Sequence, residues 1–212
     1  MSIDQNLDEI IKARRSIRLF TSVMPTKEEI KAIVQAGALA PFAGLANTGK
    51  DGHKFFIVSR NNPLINQLSS VVKKWAGIFA EQFKAQINSN PILQAQGQGF
   101  LKRLEMTAQQ GPLGIGSAPY YIVVAEKRGI PDVQHKSLAH CMENMWLKAT
   151  ALGLGFHLVS ITTQMEQDNE FCNLLNLPFG EYRLDGCAIG YPAQNPPQSI
   201  RSSIDEVTTW FI

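Results

Sequence analysis

Three basic residues and a serine stand together in one short run of the sequence. Residues 14–18 read Arg14-Arg15-Ser16-Ile17-Arg18, directly after a segment with helical periodicity. Alternate side chains of an extended segment share a face, so Ser16 and Arg18 are predicted to point together, with Arg14 beside them. A guanidinium group can donate two parallel hydrogen bonds to the oxygens of one phosphate, and each charge-assisted hydrogen bond contributes roughly 1.5–3 kcal/mol. The run therefore predicts a phosphate site, the alternative being a solvated basic cluster at a helix end.

Helices and short strands alternate around this run. Ile17 and Leu19 are predicted to face the core, and Thr26 with Glu29 forms a capping box that starts a helix ending at Pro41. The remaining predicted helices cover 6–14, 63–88, 135–152 and 166–175, and the predicted strands cover 55–58, 120–125, 156–161 and 182–191.

The order of these elements predicts an α/β or α+β sandwich around a small sheet. We expect the strand at 55–58 to be buried on both faces. Residues 89–117, rich in Gln, Gly and Asn, are interpreted as a mobile excursion that contains a short helix at 100–107 and could cover the site as a lid. The whole of 1–212 is predicted to be one domain.

The composition excludes several classes of protein. Charged residues make up 18% and the net charge is +2, so no global positive field is available for binding nucleic acid. Three cysteines that are far apart argue against a disulfide framework or a cysteine zinc site. No secretion signal and no run of about 20 apolar residues is present, so we expect a cytoplasmic protein that is not embedded in a membrane. The apolar end of the tail, Trp210 to Ile212, is predicted to dock on its own core or on a second subunit.

The order of motifs resembles the FMN-dependent nitroreductase family. The matching elements are the R-x-S-x-R run at 14–18, the Ala-Pro step at 40–41, the strand 55–58, the Ala-Pro strand 118–124, the A-x-G-L-G turn 151–155, the I-G-Y-P strand end 189–192 and Arg201. They span nearly the whole chain in the family's order. The loop at 42–53 departs from the family, since it lacks the usual Gln-Pro-Trp.

The resemblance implies an α+β homodimer with a small mixed or antiparallel sheet, an extended C-terminal arm and FMN at the subunit interface. It implies that FMN is bound by Arg14, Arg15, Ser16 and Arg18, by Arg201 from the arm, by the main chain at Ser160 and Ile161 near flavin N5, and by Asn47 as the stand-in for a family asparagine. It also implies NADH or NADPH as hydride donor, an electron-poor acceptor (a nitroaromatic, a quinone or an activated alkene) and ping-pong kinetics.

Two other readings are left open. One is a flavin enzyme with different chemistry, such as flavin cleavage or dehalogenation, which the altered loop at 42–53 suggests. The other is a flavin- or anion-binding module without catalysis. No metal site is predicted, because His140 and Glu143, three apart on a helix, are interpreted as a surface or packed pair. No side-chain catalytic dyad is expected either, since the flavin itself carries the hydride.

Overall fold

Four antiparallel strands form an open sheet within the described residues, 3–43 and 52–212, of the computed structural model. The strands are β1 (His53–Ser59), β2 (Tyr120–Lys127), β3 (Gly155–Leu158) and β4 (Tyr182–Gly190). The helices are α1 (Ile3–Ala13), α2 (Lys27–Ala38), α3 (Leu64–Ser89), α4 (Pro91–Gln96), α5 (Gln98–Gln110), α6 (Gln134–Ala151), α7 (Asn169–Leu174) and α8 (Ile204–Val207), with a 3₁₀ helix at Ser160–Gln167. The strand order is β1-β2-β4-β3.

The two central strands supply the middle of the core. Residues 121–125 of β2 are completely buried, because β2 pairs with β1 on one side and β4 on the other and carries helices over both faces. One cluster of buried side chains packs α3 and α7 against the sheet, and a second cluster packs α2 and α6 against the opposite face. This arrangement confirms the predicted α+β class with an antiparallel sheet.

Helix α2 begins as the sequence predicts. The Thr26 hydroxyl accepts from the Glu29 amide, and the Glu29 carboxylate accepts from the Thr26 amide, which completes the capping box. Gly37 lies where α2 meets α6, and a Cβ there would be 2.7 Å from Met145 Cγ. The glycine that weakens the helix therefore lets the two helices approach closely.

The prediction that β1 is buried on both faces is wrong. Within 53–59 only Val58 is buried, and Ile57 is 45% exposed. The reason is position, since β1 lies at the edge of the sheet. A short apolar run does not reveal whether its strand is central or at an edge.

The region 89–117 holds more helix than the sequence predicts. Two helices, α4 and α5, occupy it, and α5 packs along α3 through an edge-to-face contact of Phe83 with Phe100 (ring centroids 5.1 Å apart) and an ion pair of Lys84 with Glu105 (3.1 Å). The composition masks these helices, because Gln is an adequate helix former and the buried side of α5 is narrow.

The predicted helix at 166–175 is divided in two, and the strand predicted to end at Ile161 ends at Leu158. Asp168 separates the 3₁₀ helix from α7, where one carboxylate oxygen accepts from the Phe171 amide (2.8 Å) and the other accepts from Trp75 Nε1 (2.7 Å). The aspartate thus caps α7 and attaches it to α3.

The apolar end of the tail does not dock on its own chain. Trp210 is 79% exposed and Phe211 is 94% exposed. The prediction that the tail docks on the core of its own chain is therefore wrong, whereas docking on a second subunit stays a prediction. All three cysteines are buried and unpaired. Within the described residues, no helix combines the length and apolarity needed to cross a bilayer.

Candidate functional site

The run 14–18 is held as an extended segment between β3 and the start of the tail. Helix α1 ends at Ala13, after which Ser16 forms a parallel bridge with Phe156 and the Ile17 amide donates to the Phe156 carbonyl (3.0 Å). Further along, the Ala193 amide donates to the Leu19 carbonyl (2.9 Å). Backbone bonds at both ends therefore fix the direction of the side chains between them.

A glycine makes this close approach possible. A Cβ at Gly155 would lie 2.6 Å from Cγ2 and 2.8 Å from Cβ of Ile17, whose side chain is buried. Ile17 thus faces the core as the alternation predicts, and Ser16 and Arg18 face away from it. Leu19 does not follow the prediction: it is 49% exposed, and Phe20, which forms a bridge with Pro192, is the residue that packs against the core.

A cleft of about 520 Å³ opens beside this segment, and we call it the cationic cleft. Among the described residues, five positively charged side chains and no carboxylate line it, together with the Ser16 hydroxyl and residues 196–199 of the tail. The charged residues are Lys12, Arg14, Arg15, Arg18 and Arg201. The structure therefore brings together five of the eight predicted site residues from two distant parts of the sequence, namely Arg14, Arg15, Ser16, Arg18 and Arg201. An anion is the ligand that such a lining favours.

Arg14 is held by α6. Its guanidinium lies over the Trp146 ring, 4.4 Å from the centroid, and its Nε is 3.4 Å from a carboxylate oxygen of Glu143. Glu143 is thus the partner of Arg14, where the sequence pattern had suggested pairing with His140. The Arg14 side chain is 25% exposed, which leaves it accessible from the cleft.

Arg15 has a different role in the fold. Its Nη1 donates to the carbonyls of Lys12 (2.6 Å) and Arg14 (2.8 Å), at the end of α1. Those carbonyls have no partner within the helix, so Arg15 satisfies them and stabilises the turn into the extended segment.

Arg18 is exposed and lies near His157 of β3. Burial, with a contribution from the Arg18 charge, lowers the pKa of His157 to about 4. The imidazole is therefore neutral at physiological pH, and Arg18 remains the cation at this end of the cleft.

Ser160 and Ile161 line a second cleft of about 480 Å³, which we call the amide–aromatic cleft. It lies between α3, α5 and the 3₁₀ helix, and no charged side chain from the described part of the chain lines it. Three phenylalanines and three glutamines dominate the lining: Phe79, Phe83, Phe100, Gln82, Gln86 and Gln164. The structure thus places these two predicted residues apart from the arginines. Strand β3 connects the two clefts, since Phe156 contacts Ser16 and Ser160 follows two residues after the strand.

A model of the Nitroreductase family matches residues 11–191. The chain belongs to the Nitroreductase family. The match includes the arginine run and ends at Tyr191, so Arg201 lies beyond it. No curated protein matches the sequence at a significant level.

Solved structures share the nitroreductase fold over almost the whole chain. A nitroreductase with bound FMN from Bacteroides fragilis superposes with a TM-score of 0.70 at 23% identity, covering 97% of this chain and 98% of that one. An FMN-dependent nitroreductase from Clostridium difficile has a TM-score of 0.61 at 22% identity, covering 95% and 96%. A BluB-like flavoprotein from Clostridium difficile has a TM-score of 0.69 at 18% identity and covers all of both chains. At these identities the similarity establishes the fold.

Several residues of the site were not found from the sequence. Lys12 lines the cationic cleft, and its place in the last turn of α1 next to the arginine run could have indicated it. Trp146 and His157 were not found either, because their proximity to the arginines arises from the packing of α6 and β3. Asn47, predicted for the loop, lies outside the described residues.

Proposed function

We propose that this member of the Nitroreductase family is an FMN-dependent oxidoreductase that carries hydride from NADH or NADPH to an electron-poor acceptor. The single observation that supports it most is the cationic cleft, which combines positively charged residues from two distant parts of the sequence around one space of about 520 Å³. Family membership and the FMN named for two of the structural neighbours support the same conclusion.

The residues of the cleft fit the phosphate end of FMN. A phosphate monoester is a dianion at neutral pH. The cleft offers a hydroxyl and guanidinium groups that can each bind two oxygens, and residues 3–43 and 52–212 contribute no carboxylate to its lining. Gly155 and the bridge from Ser16 to Phe156 hold the donors on a rigid frame. When bound, the flavin supplies the redox chemistry, in which a hydride is received from the nicotinamide and passed to the acceptor in a ping-pong sequence.

The chain's own residues bind and orient. Arg14 and Arg201 would hold the phosphate, and Ser16 the phosphate or ribityl oxygens. Arg18 would lie toward the pyrimidine side, where a cation stabilises negative charge on the reduced ring and so raises its reduction potential. The main chain at Ser160 and Ile161 would face the ring near N5, and Asn47 would contribute from the loop.

The amide–aromatic cleft is the proposed place of the acceptor. It shares Ser160 and Ile161 with the proposed flavin surroundings and presents aromatic faces with uncharged donors and acceptors. Flat, electron-poor molecules such as nitroaromatics, quinones or activated alkenes suit such walls. Helix α5 contributes Phe100 and Leu104 to the lining, so 89–117 would act as a wall of this cleft.

The protein is also proposed to be a homodimer. Trp210, Phe211 and Ile212 are exposed in the single chain, and burying a large apolar side chain contributes roughly 1.5–3 kcal/mol. A second copy is the proposed partner of this tail. Light scattering with size-exclusion chromatography should give the mass of two chains, and deletion of residues 208–212 should shift the mass toward one.

Flavin binding provides the main test. The purified protein should retain FMN or bind it on titration, with quenching of flavin fluorescence as the readout. The double variant Arg14→Ala with Arg18→Ala removes two charge-assisted contacts, so FMN affinity should fall by at least about 100-fold while the circular dichroism spectrum is unchanged. Arg103→Ala, an exposed arginine on α5, is the matched control. A wild-type protein that does not bind FMN would contradict the proposed function.

A second candidate is a flavin enzyme with different chemistry, such as flavin cleavage or dehalogenation. The full-length similarity to a BluB-like flavoprotein supports this second candidate, because the fold alone does not determine which reaction is catalysed. Anaerobic reduction by NADH, followed by stoichiometric reoxidation with a nitro compound and unchanged flavin, would support the first proposal. Oxygen-dependent loss of the flavin absorbance would support the second, and a bound flavin that neither nicotinamide reduces would indicate a binding module.

A further inference from the structure

Three flat groups are stacked beneath the cationic cleft. The Phe156 ring of β3 is buried, and the Trp146 ring lies parallel to it at 5.0 Å between centroids with an interplanar angle of 17°. The Arg14 guanidinium lies over the Trp146 ring at 4.4 Å from the centroid. The indole therefore lies between the buried Phe156 ring, which belongs to the sheet, and the Arg14 guanidinium at the surface of the cleft.

The same indole is bonded to the backbone of the arginine run. Trp146 Nε1 donates to the Arg15 carbonyl (3.1 Å), and the Ile17 amide donates to the carbonyl of Phe156 (3.0 Å). The indole of Trp146 thus contacts the segment at two places, the Arg14 side chain and the Arg15 carbonyl. One residue of α6 sets the backbone position of the run and the side-chain position of its first arginine.

Glu143 contacts Arg14 from the side, one turn earlier on α6. Its contact is with Nε, and among the described residues no acceptor is paired with the two terminal nitrogens of Arg14. Those nitrogens are the ones that bind a phosphate in pairs. The stacking face and the side contact therefore restrict the guanidinium while the end that binds an anion stays free.

We propose that Trp146 is a positioning residue that holds Arg14 in place to bind the phosphate of the flavin. This inference rests on the proposed function. An arginine side chain loses rotamer freedom when it binds an anion, and a guanidinium already stacked on an aromatic face has lost much of it beforehand. The contribution of Trp146 should therefore appear in the affinity for the phosphate group and not in the affinity for the rings.

The test compares FMN with riboflavin, which lacks the phosphate. Both ligands are titrated into apo-protein, with flavin fluorescence as the readout. In Trp146→Leu, which loses the ring face and the N–H, FMN affinity should fall about tenfold while riboflavin affinity stays within about twofold. Trp146→Phe keeps an aromatic ring stacked on Phe156, so its FMN affinity should fall only about threefold. This variant also provides the test if Trp146→Leu does not fold.

A double-mutant cycle shows whether Trp146 acts through Arg14. In an Arg14→Ala background, either change at Trp146 should cost much less FMN affinity than in the wild-type background, because the side chain that it positions is gone and only the bond to the Arg15 carbonyl remains to be lost. Trp75→Phe is the matched control: its Nε1 also donates to a buried partner, Asp168 at 2.7 Å, on the other side of the sheet. Its ratio of FMN to riboflavin affinity should equal that of the wild type.

The outcomes separate the two proposals. Equal losses for FMN and riboflavin, or additive losses with Arg14→Ala, would show a merely structural role and overturn the inference while leaving the proposed function standing. A wild-type protein that binds riboflavin as tightly as FMN would overturn the inference as well. A wild-type protein that binds neither flavin would overturn the proposed function and the inference with it.

Discussion

Replacement of Gly155 by alanine tests how the arginine run is held against the sheet. The added Cβ would lie 2.6 Å from Ile17 Cγ2, 2.8 Å from Ile17 Cβ and 3.0 Å from Ile17 Cγ1. Carbon atoms in contact are normally about 3.5–4.0 Å apart, so the two backbones must separate by roughly 1 Å. That separation would stretch the bond from the Ile17 amide to the Phe156 carbonyl, which is 3.0 Å long.

The expected loss follows from this overlap. Overpacking in a well-packed core costs about 1–3 kcal/mol, and in a chain of this size each kcal/mol lowers Tm by roughly 2–4 °C. Taking about 2 kcal/mol, Gly155→Ala should lower Tm by about 4–8 °C. FMN affinity should fall at least about tenfold, since Arg14 and Ser16 move with the segment.

The assay is thermal unfolding with and without FMN, together with a flavin titration. Gly77→Ala is the control, because Gly77 lies inside α3 and its added Cβ would be 3.8 Å from the nearest atom, Ala108 Cβ. That variant should raise stability by about 0.5–1 kcal/mol. In the double variant with Ile17→Ala, the two losses should be less than additive. A Gly155→Ala protein with unchanged Tm and unchanged FMN affinity would refute the close packing described here.

Three further predictions concern pH and helix capping. Burial and the Arg18 charge lower the pKa of His157 to about 4. The neutral imidazole should therefore contribute its full share to the free energy of unfolding above pH 6.5, and this share should decline by up to about 3 kcal/mol as the pH falls toward 4. Urea unfolding of His157→Gln should show a flatter dependence on pH. Burial raises the pKa of Asp185 to about 7, so its stabilising contribution is present below pH 3.8 and lost as pH rises through 7; Asp185→Asn should raise Tm at pH 8 and leave it nearly unchanged at pH 4. Thr26→Ala removes the cap of α2 and should cost about 1 kcal/mol, visible as a Tm lower by roughly 2–4 °C.

Local features of the chain could be predicted from the sequence. The capping box of Thr26 and Glu29 and the buried strand β2 depend on residues close in sequence, and both were found. The direction of Ile17 follows from strand alternation, and it too was right. The gathering of the arginine run with Arg201 was predicted only through the family resemblance, since no local pattern connects them.

The features that the sequence did not reveal depend on tertiary packing. Leu19 is exposed although alternation predicts burial, because Phe20 packs against the core in its place. Arg15 binds the carbonyls at the end of α1, a role that any basic residue at that place could have taken. The stacking of Trp146 under Arg14 requires the crossing of α6 over the start of the chain, and residue types alone do not specify that crossing.

The two walls of the cationic cleft come from residues 11–18 and 196–201. During translation the first wall leaves the ribosome before the second, and the second follows only after the four strands described above have been made. A nascent chain therefore offers four of the five cations first, and Arg201 completes the set only when the tail has been made. A ligand of this cleft would then tether the last segment to the first, so that limited proteolysis near residue 196 should slow markedly once the cleft is filled.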